Sequence, residues 1–202
     1  MLADEALPKP PIQDRSRRKR EALLAAAMHL FGERGFEATG IDAIAARAGV
    51  AVGGFYGHFG SKRQLLLVLV DRLIAEMDGL DFGLALQAAD ERQAVEALVR
   101  SGLRADWAHA GVYRAWREAV LGDPTLDELN RRVEHWSRTR IELALTAIRR
   151  FPSARRDLDV EALANILNAL FWRVAETPES ERARVADALV DMIVRAVLND
   201  RP

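Results

Sequence analysis

The chain has 202 residues, half of them hydrophobic, and sets 29 Lys+Arg against 30 Asp+Glu. That balance supports a buried core and excludes whole-chain disorder and a uniformly basic nucleic-acid coat, while leaving room for a local basic patch. The absence of cysteine removes disulfides, thiolate metal sites and cysteine nucleophiles.

No apolar run reaches about 18 residues, and the acidic start Met1–Glu5 lacks the order of a secretory signal. A cytoplasmic protein with no membrane segment is expected. Pro8, Pro10 and Pro11 predict a flexible tail over residues 1–14. Eight of the 13 glycines then lie between Gly32 and Gly60, so that stretch reads as short helices joined by tight turns. The first helix is expected over Ser16–Arg34, with Leu23, Ala27, Leu30 and Phe31 as its apolar stripe and Gly32 and Gly35 as its ending. Five of the six residues from Arg15 to Arg20 are basic. Such charges oppose the macrodipole at a helix start, which favours a binding role for Arg17 and Arg18 over a stabilising one.

Thr39 is placed to cap a short helix, Ile41–Ala48, whose buried side is Ile41, Ile44, Ala45 and Ala48. Gly49 follows where a sharp turn needs positive φ. Val52, Phe55, Tyr56 and Phe59 recur at helical spacing, and Ser61 can cap a fourth helix. A small residue at the crossing (Ala45), a glycine in the turn (Gly49) and an apolar lock (Phe55) are what a helix-turn-helix needs, here over about residues 40–59.

The string from Phe36 to Val50, followed by Gly53-Gly54-Phe55-Tyr56-Gly57-His58-Phe59-Gly60-Ser61-Lys62, closely resembles the DNA-binding domain of TetR-family transcriptional regulators. The resemblance covers roughly residues 17–77. It implies an all-α fold, with an N-terminal three-helix DNA-binding domain (15–77) and a C-terminal helical bundle (78–202) for ligand binding and dimerisation. It further implies that Ala51, Val52, Gly53 and Gly54 open the recognition helix, and that Tyr56, His58, Lys62 and Thr39 touch the DNA backbone. Members of the family often carry Ser-Lys-Gly-Thr where this chain has Ala51-Val52-Gly53-Gly54. Side chains for bidentate base readout are therefore scarce, and Arg47, the basic arm and DNA shape are expected to carry more of the discrimination.

Beyond Gly79 the pattern predicts five helices, at about 89–109, 111–121, 124–150, 159–177 and 179–199, and no alternating strand pattern. Asp123-Pro124 supplies an N-cap and N1 pair. The last two helices are apolar on more than one side. Ile166, Leu170, Leu189, Ile193 and Val197 are thus candidates for a homodimer seam in an isologous four-helix bundle. All four tryptophans lie in this half. Trp107, Tyr113, Trp116, Arg117 and Trp136 form a candidate aromatic pocket for a small-molecule effector. No metal-ligand spacing, nucleophile elbow or phosphate loop occurs, so neither a catalytic residue, a metal nor a cofactor is expected. The sequence reads as a ligand-responsive regulator, most simply a repressor, bound as a dimer to a palindromic double-stranded operator. The alternative is a DNA-binding adaptor governed by protein partners without a small ligand.

Overall fold

The computed structural model describes residues 7–79 and 90–199. Among the described residues the chain forms α1 (Asp14–Arg34), α2 (Ile41–Arg47), α3 (Val52–Tyr56), α4 (Lys62–Asp78), α5 (Glu91–Ala108), α6 (Ala110–Gly122), α7 (Asp127–Ile148), α8 (Val160–Val174) and α9 (Glu179–Val197). The fold is all-α; an isolated antiparallel bridge joins Ala154 to Leu198. No described helix is long and apolar enough to cross a membrane. The expected tail falls partly outside the described residues, as does position 89.

The chain divides into two compact units. The first comprises Met1–Asp78 and His109–Asn130, the second Gly79–Ala108 and Arg131–Pro202. In the first, the predicted α1 stripe is buried in full, together with Ile44 and Ala45 of α2, Phe55, Phe59, Leu65 and Leu66. Each such large side chain contributes roughly 1.5–3 kcal/mol on leaving water. Gly35 (φ 85°) ends α1 as expected. Gly32 does not: it lies inside the helix, where its backbone meets Gly111 of α6. A Cβ on Gly111 would overlap the Met28 carbonyl oxygen. Glycine lets these two helices touch backbone to backbone.

The domain boundary read from the sequence places α6 in the C-terminal half, yet it packs on α1 and α4. The contact is polar at its rim. Arg114 Nη1 donates to the α1 carbonyls of Gly32 (3.0 Å) and Glu33 (3.4 Å). Glu118 Oε2 accepts from the backbone N–H groups of Phe36 (2.6 Å) and Glu37 (3.3 Å). Arg63 reaches Asp123 at 3.2 Å, and His109 reaches Glu76 at 3.1 Å. After α6, Asp123 accepts from Thr125 N at 3.0 Å. The cap therefore forms as the sequence indicates, but the first turn, Pro124–Leu126, is 3-10 and α7 starts only at Asp127.

The second unit is built from α5, most of α7, α8 and α9 around Val95, Leu103, Leu145, Ile148, Ala164 and Leu167. Here the last helix turns its apolar stripe inward. Leu189, Ile193 and Val197 are 6%, 3% and 0% exposed and belong to the core of their own chain, where α9 packs on α5. Helical periodicity identifies a buried stripe but not which neighbour buries it. Ile166 on α8, by contrast, is 63% exposed and Met192 on α9 is 45% exposed. Leu170 is half-buried.

Candidate nucleic-acid interface

The helix-turn-helix is closed by backbone hydrogen bonds that its glycine permits. Gly49 takes φ 65°. Gly49 N donates to Ala46 O (3.1 Å) and Val50 N to Ala45 O (2.9 Å), the paired bonds of a Schellman ending. Phe55 (0% exposed) and Phe59 (1%) lie 5.7 Å apart in the core, which leaves Ala51, Val52, Gly53, Tyr56 and Gly57 exposed. Helix α3 spans only Val52–Tyr56, shorter than expected. Its outward residues are small except for Val52 and Tyr56, and Gly54 is partly covered. Backbone can approach a groove closely there, while the Tyr56 hydroxyl is the lone polar side-chain group from Ala51 to Gly57.

Thr39 departs from expectation. Helix α2 has no side-chain cap; its N-cap is Gly40. Thr39 is 1% exposed, and its hydroxyl donates to the carbonyl of Gly35 at 2.6 Å. The orphan carbonyls at the end of α1 lie within its reach, and they claim the group that a cap would use. Ser61 does cap α4, accepting from Gln64 N at 3.0 Å.

The cations distribute unevenly. Arg18, Lys19 and Arg47 are exposed. Arg17 is exposed but pairs with Asp14 at 2.5 Å, a surface contact worth little and screened by salt. Lys62 is half-buried, its ammonium donating to Phe36 O (2.6 Å) and lying 4.2 Å from the Phe36 ring centroid. Phe36 is thereby held at its N–H by Glu118 and at its carbonyl by Lys62. His58 is half-buried beside Phe59. Burial foremost, then the charges of Arg20 and Lys19, lower its pKa below the ordinary histidine value.

Arg20 closes the basic run, yet it turns inward and is 3% exposed. The signal was available: positions 20, 23, 27 and 30 follow the spacing of the buried stripe. Glu118 and Arg114 carried no comparable signal, because their partners are backbone groups some 80 positions away.

The five candidate pocket residues divide between the units. In the first, Trp116 is a core side chain, 2% exposed, whose indole N–H donates to Asn130 Oδ1 at 2.9 Å. Tyr113 and Arg117 are half-buried on the same helix. In the second, Trp107 donates to Val174 O at 3.0 Å with the Arg182 guanidinium 5.5 Å from its ring, and Arg140 lies 5.3 Å from the Trp136 ring. The second unit also holds a cleft of about 200 Å3 beside Glu91, Ser153 and Asn199, lined by none of the five.

Residues 23–69 match the bacterial regulatory proteins of the tetR family. The HTH-type transcriptional repressor KstR2 of Rhodococcus jostii is 30% identical over 173 residues, covering 81% of this chain and 82% of that one. The HTH-type transcriptional regulator BetI of Rhizobium meliloti is 28% identical, covering 83% and 84%. Among solved structures, the ketosteroid transcriptional regulator KstR2 of Mycobacterium tuberculosis shares the fold, with a TM-score of 0.64 at 20% identity, covering 95% of this chain and 98% of that one.

Proposed function

We propose that this chain, which belongs to the tetR family of bacterial regulatory proteins, is a ligand-responsive repressor that binds a palindromic operator as a homodimer. The observation carrying the DNA-binding part is the helix-turn-helix surface: Arg47, Ala51, Val52, Gly53 and Tyr56 all exposed over a core locked by Phe55 and Phe59. Arg18, Lys19 and Arg47 supply backbone electrostatics, and small residues at 51–54 let α3 sit deep in the major groove. Repression is supported by the name of the Rhodococcus relative, a repressor. The protein acts on DNA in the cytoplasm and performs no chemistry of its own.

The dimer seam consists of the outward faces of α8 and α9, Ile166 and Leu170 with Met192, in place of the buried Leu189, Ile193 and Val197. The effector enters the second unit near Trp107 and Trp136. The buried side-chain oxygen of Asn168 on α8, which has no hydrogen-bond partner, supports a polar ligand group in the same unit. Trp116 serves the core, and Tyr113 and Arg117 lie on α6 with it.

Site selection from a randomised duplex pool tests the proposal. A two-fold symmetric consensus is expected, and Tyr56→Ala or Arg47→Ala should weaken its binding on the order of tenfold or more. A pool that yields no consensus contradicts it.

A further inference from the structure

Arg20 is the buried member of the basic run. Its guanidinium lies 5.2 Å from the Phe59 ring centroid, and Nη2 donates to the carbonyl of Pro8 at 3.0 Å. Its Nε is buried with no hydrogen-bond partner. The adjacent carboxylate, Glu21, is occupied by Arg72 through two bonds of 2.5 and 2.6 Å. Desolvation and Arg72 push the Arg20 pKa down, with Glu21 opposing them. A buried cation that lacks a carboxylate of its own costs stability, and an apolar side chain of similar volume would serve the core at least as well. Packing alone does not account for an arginine here.

What the arginine secures is the chain before α1. A planar guanidinium can stack on Phe59 while its edge donates, which a lysine cannot do. Pro8, Pro10 and Pro11 fix φ along the segment and keep it extended. Lys9 is exposed and follows the anchored Pro8 directly, about 3.8 Å away from Cα to Cα. The anchor therefore holds the chain at Pro8, and Lys9 after it, on the Arg20 guanidinium that stacks beside Phe59, where the helix-turn-helix ends.

We propose that Arg20 is a positioning residue: it pins the proline-rich segment 7–13 beside the end of the recognition helix and so presents Lys9 to the DNA backbone flanking each half-site. The inference rests on the DNA-binding reading above and adds one phosphate contact per chain that lies outside the helix-turn-helix.

The test is operator affinity against salt, by fluorescence anisotropy, for the full-length protein and for Lys9→Ala, Arg20→Met and the double variant. Each phosphate contributes about 0.9 to the slope of log K against log salt, so Lys9→Ala should flatten the dimer's slope by about 2 and cost roughly tenfold to a hundredfold in affinity at about 0.1 M salt. Arg20→Met should reproduce both losses while the melting temperature holds or rises. The double variant should match Arg20→Met, because both act through one contact. An unchanged slope for the exposed Lys9→Ala, which cannot disturb the fold, overturns the proposal. So does full additivity in the double variant. Failure of the unmodified protein to bind any selected duplex removes the DNA-binding reading itself, a distinguishable result.

Discussion

In the proposed DNA-binding reading, His58 would tie the fold to binding through a single side chain. Burial, then Arg20, then Lys19 hold its pKa below the ordinary histidine value, which favours the neutral ring. The unfolded chain binds that proton more readily than the folded one. The histidine's contribution to stability is therefore whole above the ordinary histidine pKa and is lost as pH falls through the lower folded-state value. A phosphate acts in the opposite sense and favours the charged ring. Operator binding should thus take up a proton, and affinity at fixed salt should rise as pH is lowered from about 7.5 to about 6. His58→Gln should abolish that dependence; an equal dependence in the variant would contradict it. At this scale the sequence told part of the story. Phe55, Phe59, Gly49 and Ser61 take the places their spacing requires, since their roles are local. Thr39 and Lys62 are diverted to carbonyls of the α1 end and its loop, partners that become neighbours only when the chain folds.

Helix α6 is the element whose role was least legible. Its amphipathic pattern predicted the helix to within one residue at each end, but amphipathicity does not name the surface that covers the apolar side. The answer lies in Gly111, which fits the backbone of α1 at Met28 and Gly32. Gly111→Ala should force α1 and α6 apart and cost about 1–3 kcal/mol in urea unfolding, although alanine is the better helix former. Unchanged stability would show that the contact is loose. Glu118→Ala should cost a similar amount, because the N–H groups of Phe36 and Glu37 lose their acceptor just before α2. Its effect on operator affinity should exceed that of Arg63→Ala, which removes a single side-chain pair with Asp123 and leaves the backbone N–H groups before α2 satisfied.

For the whole molecule, the seam of the proposed dimer would decide how two recognition helices are spaced. The outward position of Ile166 and the inward position of Leu189 make opposite predictions. Ile166→Glu should yield a folded monomer in sedimentation, with operator affinity lost. Leu189→Glu should instead unfold the second unit, at a cost on the order of 4 kcal/mol. A dimeric Ile166→Glu would place the seam elsewhere. The all-α class and the helix-turn-helix were legible throughout, because periodicity and glycine placement encode them locally; the partner of each apolar face was not. The central claim, that this is a dimeric operator-binding protein, is tested most directly by titrating the selected palindrome at increasing salt. The account predicts one dimer per site, half-sites about 34 Å apart or a multiple of that, and a slope of log K against log salt of about −5, corresponding to roughly six neutralised phosphates. Binding as a monomer, or a slope near zero, would contradict it.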